Sequence, residues 1–171
     1  MSLISIVTAS TGKNLELAQK FEAELKSLGI NTQLLNLATM NLPLFHPEAD
    51  SKNDAKALLA PWHDSIMQTN AFVFLAPEYN GGIPPVLTNF IAWVSRSTKD
   101  WRAAFNGKSA AIGTFSAGNG SFVLGAMRVQ LSFIGLNVLG RQVITTMAKP
   151  ADDDSIKAIC KQLVAHASIT L

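Results

Sequence analysis

The sequence predicts an α/β protein built on a doubly wound parallel sheet, and three observations predict it. Short apolar segments alternate along the chain with longer segments whose apolar residues recur every three or four positions. Five such alternations fit into 171 residues, a length typical of one domain, here residues 1–171. Right-handed crossovers place helices on both faces of a parallel sheet, so three layers are expected.

The first unit is a strand, a tight polar loop and a helix. Leu3 to Val7 is short, apolar and partly β-branched, as in strands that are buried on both faces. From Leu15 to Leu28 the apolar residues follow helical spacing, and Gly29 is a stop signal.

The second unit repeats the pattern with a longer connection. Asn31 to Asn36 is predicted to be a strand and residues 37–52 a long loop. Residues 53–68 are predicted to be a helix that Pro61 kinks or splits.

Three further strands complete the predicted sheet. Five strands make the order 2-1-3-4-5 the natural candidate, and ligands of such sheets bind beyond the carboxyl ends of strands one, three and four. The remaining elements are predicted as a strand from Ala71 to Ala76, a helix opened by Pro84 and Pro85 that runs to about Ser97, a strand from Ser109 to Phe115, a helix from Phe122 to about Ile134, a strand from Asn137 to Ile144, and a final helix capped by the run Asp152 to Asp154.

Composition excludes several classes of protein. The single cysteine, Cys160, rules out a disulfide framework, and the three histidines lie far apart, so no metal centre is expected. Lys+Arg 14 against Asp+Glu 12 gives a net charge of +2 without a basic stripe, which disfavours nucleic acid as a partner. The longest apolar run is far too short for a membrane span, and no signal peptide is recognisable, so a cytoplasmic protein without a membrane partner is expected.

Three polar loops follow strands one, three and four. Their glycines let a backbone approach a ligand closely, and their hydroxyl and amide groups supply hydrogen bonds. The first loop leads into a helix amino end, where free N–H groups favour an anion, most simply a phosphate. Helix capping is the alternative role for the same polar residues. The loops are Ser10 to Asn14, Pro77 to Gly82 and Ser116 to Gly120.

Three better-known motifs fail at these loops. The P-loop needs a glycine where this chain has Val7, and the dinucleotide fingerprint breaks at Val123. A nucleophile elbow needs a glycine two residues before Ser116, where Thr114 stands. A phosphate site here is therefore predicted to be of a mononucleotide kind, and no catalytic acid, base or nucleophile is assigned.

The second loop and the helix after it carry a specific resemblance. Residues 77–93 read PEYNGGIPPVLTNFIAW, which is similar without a gap to the PEYNGSIPxxLKNAIDW signature of the NADPH-dependent FMN reductase family. The third loop resembles the family's S-x-G-x-x-G stretch through Ser116 and Gly118. The resemblance implies a flavodoxin-like fold, FMN as cofactor and NADPH or NADH as reductant.

The resemblance also implies which residues bind FMN. The phosphate is expected at the first loop and the isoalloxazine edge at the second, with the third loop on the ring's other side. For Glu78, a local cap or ion pair is the alternative role. The family's first loop usually carries an arginine, whereas this one has only a lysine, so the choice between NADH and NADPH stays open. The assigned residues are Ser10, Gly12, Lys13, Asn14 and Leu15 in the first loop, Pro77, Glu78, Tyr79, Asn80 and Gly81 in the second, and Ser116, Ala117 and Gly118 in the third.

The implied activity is electron transfer from NAD(P)H to a flavin, a quinone, an azo compound or a metal oxyanion. In flavin chemistry the cofactor carries the hydride, and the protein supplies position and electrostatics. A flavodoxin-like electron carrier and a flavin-binding regulatory module are the alternatives. The net charge of +2 disfavours the carrier, because such carriers tend to be strongly acidic.

Two predicted helices are more apolar than one sheet face requires. Phe90, Trp93 and Val94 on one helix, with Phe133 and Ile134 on the other, suggest a patch for self-association. A thicker intramolecular core is the alternative. The family resemblance favours a homodimer or homotetramer.

Overall fold

The structure is a computed structural model that describes residues 2–167. Within that range the chain forms six strands, seven α-helices and two short 3-10 helices at Leu37–Thr39 and Trp101–Ala104. The strands are β1 (Leu3–Thr8), β2 (Asn31–Asn36), β3 (Ala71–Leu75), β4 (Ser109–Phe115), β5 (Asn137–Val138) and β6 (Val143–Thr145). The helices are α1 (Lys13–Ser27), α2 (Pro47–Lys52), α3 (Ala55–Leu58), α4 (His63–Gln68), α5 (Pro85–Val94), α6 (Ser121–Phe133) and α7 (Asp153–His166).

The strands form one parallel sheet in the order β2-β1-β3-β4-β5, with β6 also pairing with β4. This confirms the predicted flavodoxin-like order. All five residues of β3, Ala-Phe-Val-Phe-Leu, are buried, as expected for a central strand with a helical layer on each face.

Two apolar cores lie on opposite faces of the sheet. Phe72 and Phe74 of β3 belong to the core that contains α5 and α6, whereas Val73 belongs to the core that contains α1 and α7. Successive side chains of a strand point to opposite faces, so one short apolar strand contributes to both cores. The predicted three layers are confirmed.

The fifth strand is interrupted, and the prediction of one strand over residues 137–144 was wrong. Both β5 and β6 pair in parallel with β4. Where β5 ends, the side chain of Arg128 in α6 forms hydrogen bonds with the main chain. Its guanidinium donates to the carbonyl oxygens of Val138 at 3.3 Å and Leu139 at 2.9 Å, and to the side chain of Gln142 at 3.0 Å. A side chain on the preceding helix thus satisfies main-chain carbonyl groups where the ladder breaks.

The segment between β2 and β3 also differs from the prediction. The stretch 37–52 is not wholly a loop, because a 3-10 helix follows β2 and α2 begins with Pro47 in its first turn. The helix predicted over residues 53–68 is split at Pro61, as expected, into two short helices, α3 and α4, with a turn between them. Asp54 starts α3 by accepting the amides of Lys56 and Ala57.

Most of the predicted self-association patch lies in the core. Phe90, Trp93, Val94 and Ile134 are all buried, so the thicker core is the correct interpretation for these four residues. Phe133 is the exception, with 76% of its surface exposed. Within residues 2–167, the helices are too short or too polar to cross a membrane.

Candidate functional site

Main-chain hydrogen bonds bring the three predicted loops to one edge of the sheet. The Ala9 amide donates to the carbonyl oxygen of Leu75 at 2.9 Å, and the Ala76 amide donates to that of Gly113 at 3.2 Å. These bonds continue the ladders just beyond the strands β1 and β3. The loops therefore leave the sheet side by side, at the carboxyl edge where doubly wound proteins bind ligands.

The first loop ends in a helix amino end that no side chain caps among the residues that the structure describes. Gly12 is the N-cap residue of α1, and it is exposed together with Thr11 and Lys13. A Cβ atom built on Gly12 would meet nothing within 4 Å, so the space in front of this helix end is open. Free first-turn N–H groups facing open space are the usual elements of an anion site. The Lys13 ammonium lies 2.8 Å from the Glu16 carboxylate in an exposed ion pair.

Asn14 fastens this loop to the end of β4. Its side-chain amide donates to the carbonyl oxygen of Phe115 at 3.0 Å, and its oxygen accepts the Phe115 amide at 2.7 Å. Asn14 is only 2% exposed. Sequence reasoning considered it a side-chain donor to a phosphate, whereas here both ends of the side chain bind main chain. Its own backbone amide belongs to the first turn of α1.

The second loop is a tight hairpin turn. Tyr79 and Gly82 exchange two main-chain hydrogen bonds of 3.1 and 3.0 Å. The two residues between them have positive φ values, 51° at Asn80 and 75° at Gly81. Asn-Gly is the favoured pair for a two-residue turn of this type. The turn leaves Tyr79 51% exposed at the sheet edge, where its ring is available to a ligand.

Glu78 links the second loop to the third. One carboxylate oxygen, Oε2, accepts the main-chain amides of both Phe122 and Val123 at 3.1 Å. Those two amides belong to the first turn of α6, so Glu78 caps that helix from another loop. The proposed capping role of Glu78 is thus correct, but the capped helix is 44 residues away in sequence.

The third loop is held by small residues. Ser116 is buried, and its hydroxyl accepts the Gly118 amide at 3.3 Å. Gly120 has a φ of 68°, and a Cβ atom there would lie 2.5 Å from Cγ2 of Thr114. Glycine is therefore required at position 120, both for its conformation and for its contact with β4. Ala117 and Gly118 are exposed in front of this turn.

Two residues of the 77–93 motif act outside the three loops. Asn89 donates to the carbonyl oxygen of Pro43 at 3.0 Å and accepts the Phe45 amide at 2.7 Å. The Trp93 indole also donates to Pro43, at 2.7 Å. These bonds fasten the segment before α2 onto α5. Sequence reasoning missed this role, although an asparagine and a tryptophan in an otherwise apolar helix were the available signal.

A groove of about 270 Å³ lies beside the first loop, between α1 and the segment after β6. Lys13 contributes from the predicted site residues. The side of the groove opposite α1 was not predicted from the sequence. The last strand was predicted to end at residue 144, and no role was predicted for the residues that follow it. Among the residues on that side are Thr145, Thr146 and Met147.

Cys160 is unsuited to redox chemistry. It is fully buried in α7, and burial raises the pKa of its thiol to about 12. A thiol with so high a pKa stays protonated at neutral pH and is a poor nucleophile. Cys160 is therefore a packing residue, as the sequence predicts.

The strand order, with polar loops at the sheet's carboxyl edge, defines a flavodoxin-like protein, and such folds bind ligands at that edge. The chain belongs to the NADPH-dependent FMN reductase family, whose family model matches residues 2–150. The resemblance seen in residues 77–93 is confirmed. FMN, with NAD(P)H as reductant, is the cofactor that this membership gives the chain.

Individual relatives are distant in sequence. The uncharacterized MG342 homolog of Mycoplasma pneumoniae is 25% identical over 146 residues, which cover 81% of this chain and 84% of the relative. FerB of Paracoccus denitrificans, a flavoenzyme NAD(P)H:(acceptor) oxidoreductase, is similar with a TM-score of 0.74 and 18% identity over 98% of both chains. RosB, solved with bound 8-demethyl-8-formylriboflavin-5′-phosphate, is similar with a TM-score of 0.75 and 13% identity, covering 99% of this chain and 80% of RosB. The structural likenesses show the fold.

The residues at this edge fit the two ends of FMN. A phosphate needs hydrogen-bond donors, and the uncapped first turn of α1 offers main-chain N–H groups with open space before them. The isoalloxazine ring needs an exposed surface with polar edges, which the turn at Tyr79 and the exposed residues Ala117 and Gly118 provide.

Proposed function

We propose that this chain is an FMN-dependent NAD(P)H oxidoreductase that passes electrons to a small-molecule acceptor, namely a flavin, a quinone, an azo compound or a metal oxyanion. One observation carries the proposal: the uncapped amino end of α1 lies at the same sheet edge as the two polar loops that Glu78 joins. That arrangement offers a phosphate site and a ring site side by side, and family membership supplies the cofactor.

In this proposal the first loop holds the FMN phosphate. The main chain around Gly12 donates hydrogen bonds, and Lys13 adds a positive charge. Asn14 keeps the loop in place through Phe115. The first-loop set is Ser10, Gly12, Lys13, Asn14 and Leu15.

The second and third loops hold the ring on its two sides. When bound, FMN supplies the hydride and electron chemistry. The turn amides at Asn80 and Gly81 stabilise negative charge at the ring edge by donating hydrogen bonds. The contacting residues on the two sides are Pro77, Tyr79, Asn80 and Gly81, and Ser116, Ala117 and Gly118, while Glu78 joins the two loops through the amides of α6.

An anaerobic titration of the FMN-loaded protein with NADPH and with NADH tests this function. Bleaching of the flavin's visible absorption by either nucleotide supports a reductase, and the ratio of the two rates gives the preferred donor. If bound flavin stays oxidised with both nucleotides, the reductase proposal fails in favour of an electron carrier or a regulatory module. If the protein binds no FMN, the assigned phosphate site is wrong.

The proposal includes a second copy of the chain on the outer face of α6. Phe122, Val129 and Phe133 are 68%, 73% and 76% exposed. Their spacing of seven and four residues places them on one side of the helix. Arg128 turns away from this side to bind Val138 and Leu139. The guanidinium of Arg102 borders the stripe, 5.7 Å from the centroid of the Phe133 ring. An apolar stripe that adjoins the third loop and has a cation at its far end fits a homodimer interface.

Sedimentation velocity of a Phe133→Lys variant tests the interface. A lysine placed in an apolar contact must be desolvated, so we expect the variant to be monomeric at concentrations where the wild type is a dimer. Met147→Lys is the matched control, because Met147 is 81% exposed but lies after β6. A Phe133→Lys variant that sediments like the wild type would place any interface elsewhere.

A further inference from the structure

We propose that Glu78 is a positioning residue that holds the second and third loops at a fixed spacing and so shapes the ring site between them. The proposal rests on the proposed function, because the spacing matters only if a flavin ring lies between these loops. It assigns Glu78 no proton transfer. Its effect is transmitted through α6 and the third loop.

The hydrogen bonds of Glu78 are well placed for this role. Oε2 receives two amides in the first turn of α6, those of Phe122 and Val123, both at 3.1 Å. The residue itself stands directly before the Tyr79–Gly82 turn. A shift of either loop relative to the other would therefore break two charge-assisted hydrogen bonds at once.

Few other hydrogen bonds hold the third loop in place relative to the second. Within the described range, the other hydrogen bonds of residues 116–121 are local ones or connect to β6. Gly118 donates to Ser116, and Ser121 donates to Asn119. Ser116 donates to Thr145. The Glu78 carboxylate is thus the side-chain link between the two sides of the ring site.

Glutamine can replace glutamate in this geometry. Both amides end on the same oxygen, so one carbonyl oxygen of a glutamine side chain can accept both hydrogen bonds. Alanine removes the acceptor and leaves the first turn of α6 uncapped. If Glu78 acts by positioning, Glu78→Gln should retain the loop spacing and the FMN affinity that Glu78→Ala loses. If the negative charge itself is needed, both variants should lose FMN affinity.

The matched control is Asp152→Ala. Asp152 caps α7 by accepting the Ser155 amide at 3.2 Å, and α7 begins outside the three loops. Both alanine variants remove a carboxylate that caps a helix, but only Glu78→Ala separates the loops. Comparing them distinguishes loop spacing from general loss of a helix cap.

Two measurements test the proposal. Hydrogen exchange of the ligand-free proteins reports on the loops directly, and we expect Glu78→Ala to speed exchange in residues 78–82 as well as in residues 116–123. FMN titration followed by flavin fluorescence and visible circular dichroism reports on the ring site. There we expect Glu78→Ala to weaken binding about tenfold or more, which corresponds to the loss of one or two hydrogen bonds to a charged group. Glu78→Gln and Asp152→Ala should bind FMN with an affinity within about threefold of the wild type.

Several results would overturn the proposal. Unchanged exchange in residues 116–123 of Glu78→Ala would show that the carboxylate does not hold the third loop. Equal weakening of FMN binding in the alanine and glutamine variants would assign the effect to charge. If the wild type binds no FMN, the proposed function fails and the ring-site role of Glu78 fails with it, while the exchange data still decide whether Glu78 joins the two loops.

Discussion

The amino ends of α1 and α6 lie at the same edge of the sheet but differ in how their first turns are capped. Within residues 2–167 no side chain caps α1, and its N-cap residue Gly12 faces open space. The first turn of α6 is closed by Glu78, a carboxylate that arrives from another loop. Every helix amino end carries a partial positive charge and unpaired N–H groups.

The difference teaches that an anion site depends on which helix ends the chain leaves free. At α6 the chain's own carboxylate satisfies the amides, so a dianionic phosphate meets a negative charge there. At α1 the amides are available, and the first turn carries Lys13 in an ion pair with Glu16. The proposed function therefore places the phosphate of FMN at α1, and the uncharged ring on the side that Glu78 holds.

The largest effect is expected from closing the open end of α1. In Gly12→Asp an acidic cap competes with the phosphate and repels it, so FMN affinity should fall by about a hundredfold or more. Fluorescence titration with FMN measures it. Gly12→Asn is the control, because asparagine has the same size and capping geometry without the negative charge and should lower the affinity much less. Wild-type affinity in Gly12→Asp would move the phosphate away from α1.

A smaller effect, on stability, is expected from distorting the capped amino end of α6. Gly120 precedes α6 with a φ of 68°, and a Cβ atom there would clash with Thr114. Gly120→Ala should lower the free energy of unfolding by about 1–3 kcal/mol, as measured by urea denaturation. Gly118→Ala is the control, because Gly118 has no such neighbour. Adding Thr114→Ser to Gly120→Ala removes the clashing methyl group and should recover part of the loss, unless strain at the positive φ causes all of it.

The smallest effect is expected at a third helix start, that of α7. Its cap is local, because Asp152 accepts the amide and the hydroxyl of Ser155, and these hydrogen bonds lower the pKa of Asp152 below its ordinary value of 3.8. A lowered pKa stabilises the folded state above the unfolded-state pKa, and the contribution is lost as the pH falls through the folded-state pKa. Asp152→Ala should therefore shift the urea midpoint down at pH 7 and converge with the wild type in acid. If the urea midpoints of Asp152→Ala and the wild type differed by the same amount at all pH values, packing and not the charge would be responsible.

The fold was largely predictable because its signals are local. The apolar run of β3 identifies a central strand without any knowledge of its neighbours. Pro85 in the first turn of α5 and Asp152 before α7 mark helix starts by residue type alone. The break between β5 and β6 was not predictable, because Arg128 of α6 supplies the missing hydrogen bonds and no periodic pattern records that contact.

The site was predictable as a set of loops, but the bonds that join them were not. Loop composition and the motif at residues 77–93 point to the carboxyl edge of the sheet. The contacts of Asn14 with Phe115 and of Glu78 with Val123 connect side chains to distant main chain. Such contacts depend on strand order and register. From the sequence, polar loop residues therefore predict ligand binding, and their structural role is visible only in the folded protein.

The contact between Asn14 and Phe115 has a consequence for the order of folding. The two residues are 101 positions apart, and β1 and β4 are separated in the sheet by β3. The first loop therefore acquires its final shape only after the chain has been synthesised through β4 and three strands have paired. Contacts between residues so distant in sequence form slowly, because a long segment of chain must be ordered first. We expect the nascent protein to acquire its flavin late, after β4 has paired with β3, because the first loop lacks its final shape before then.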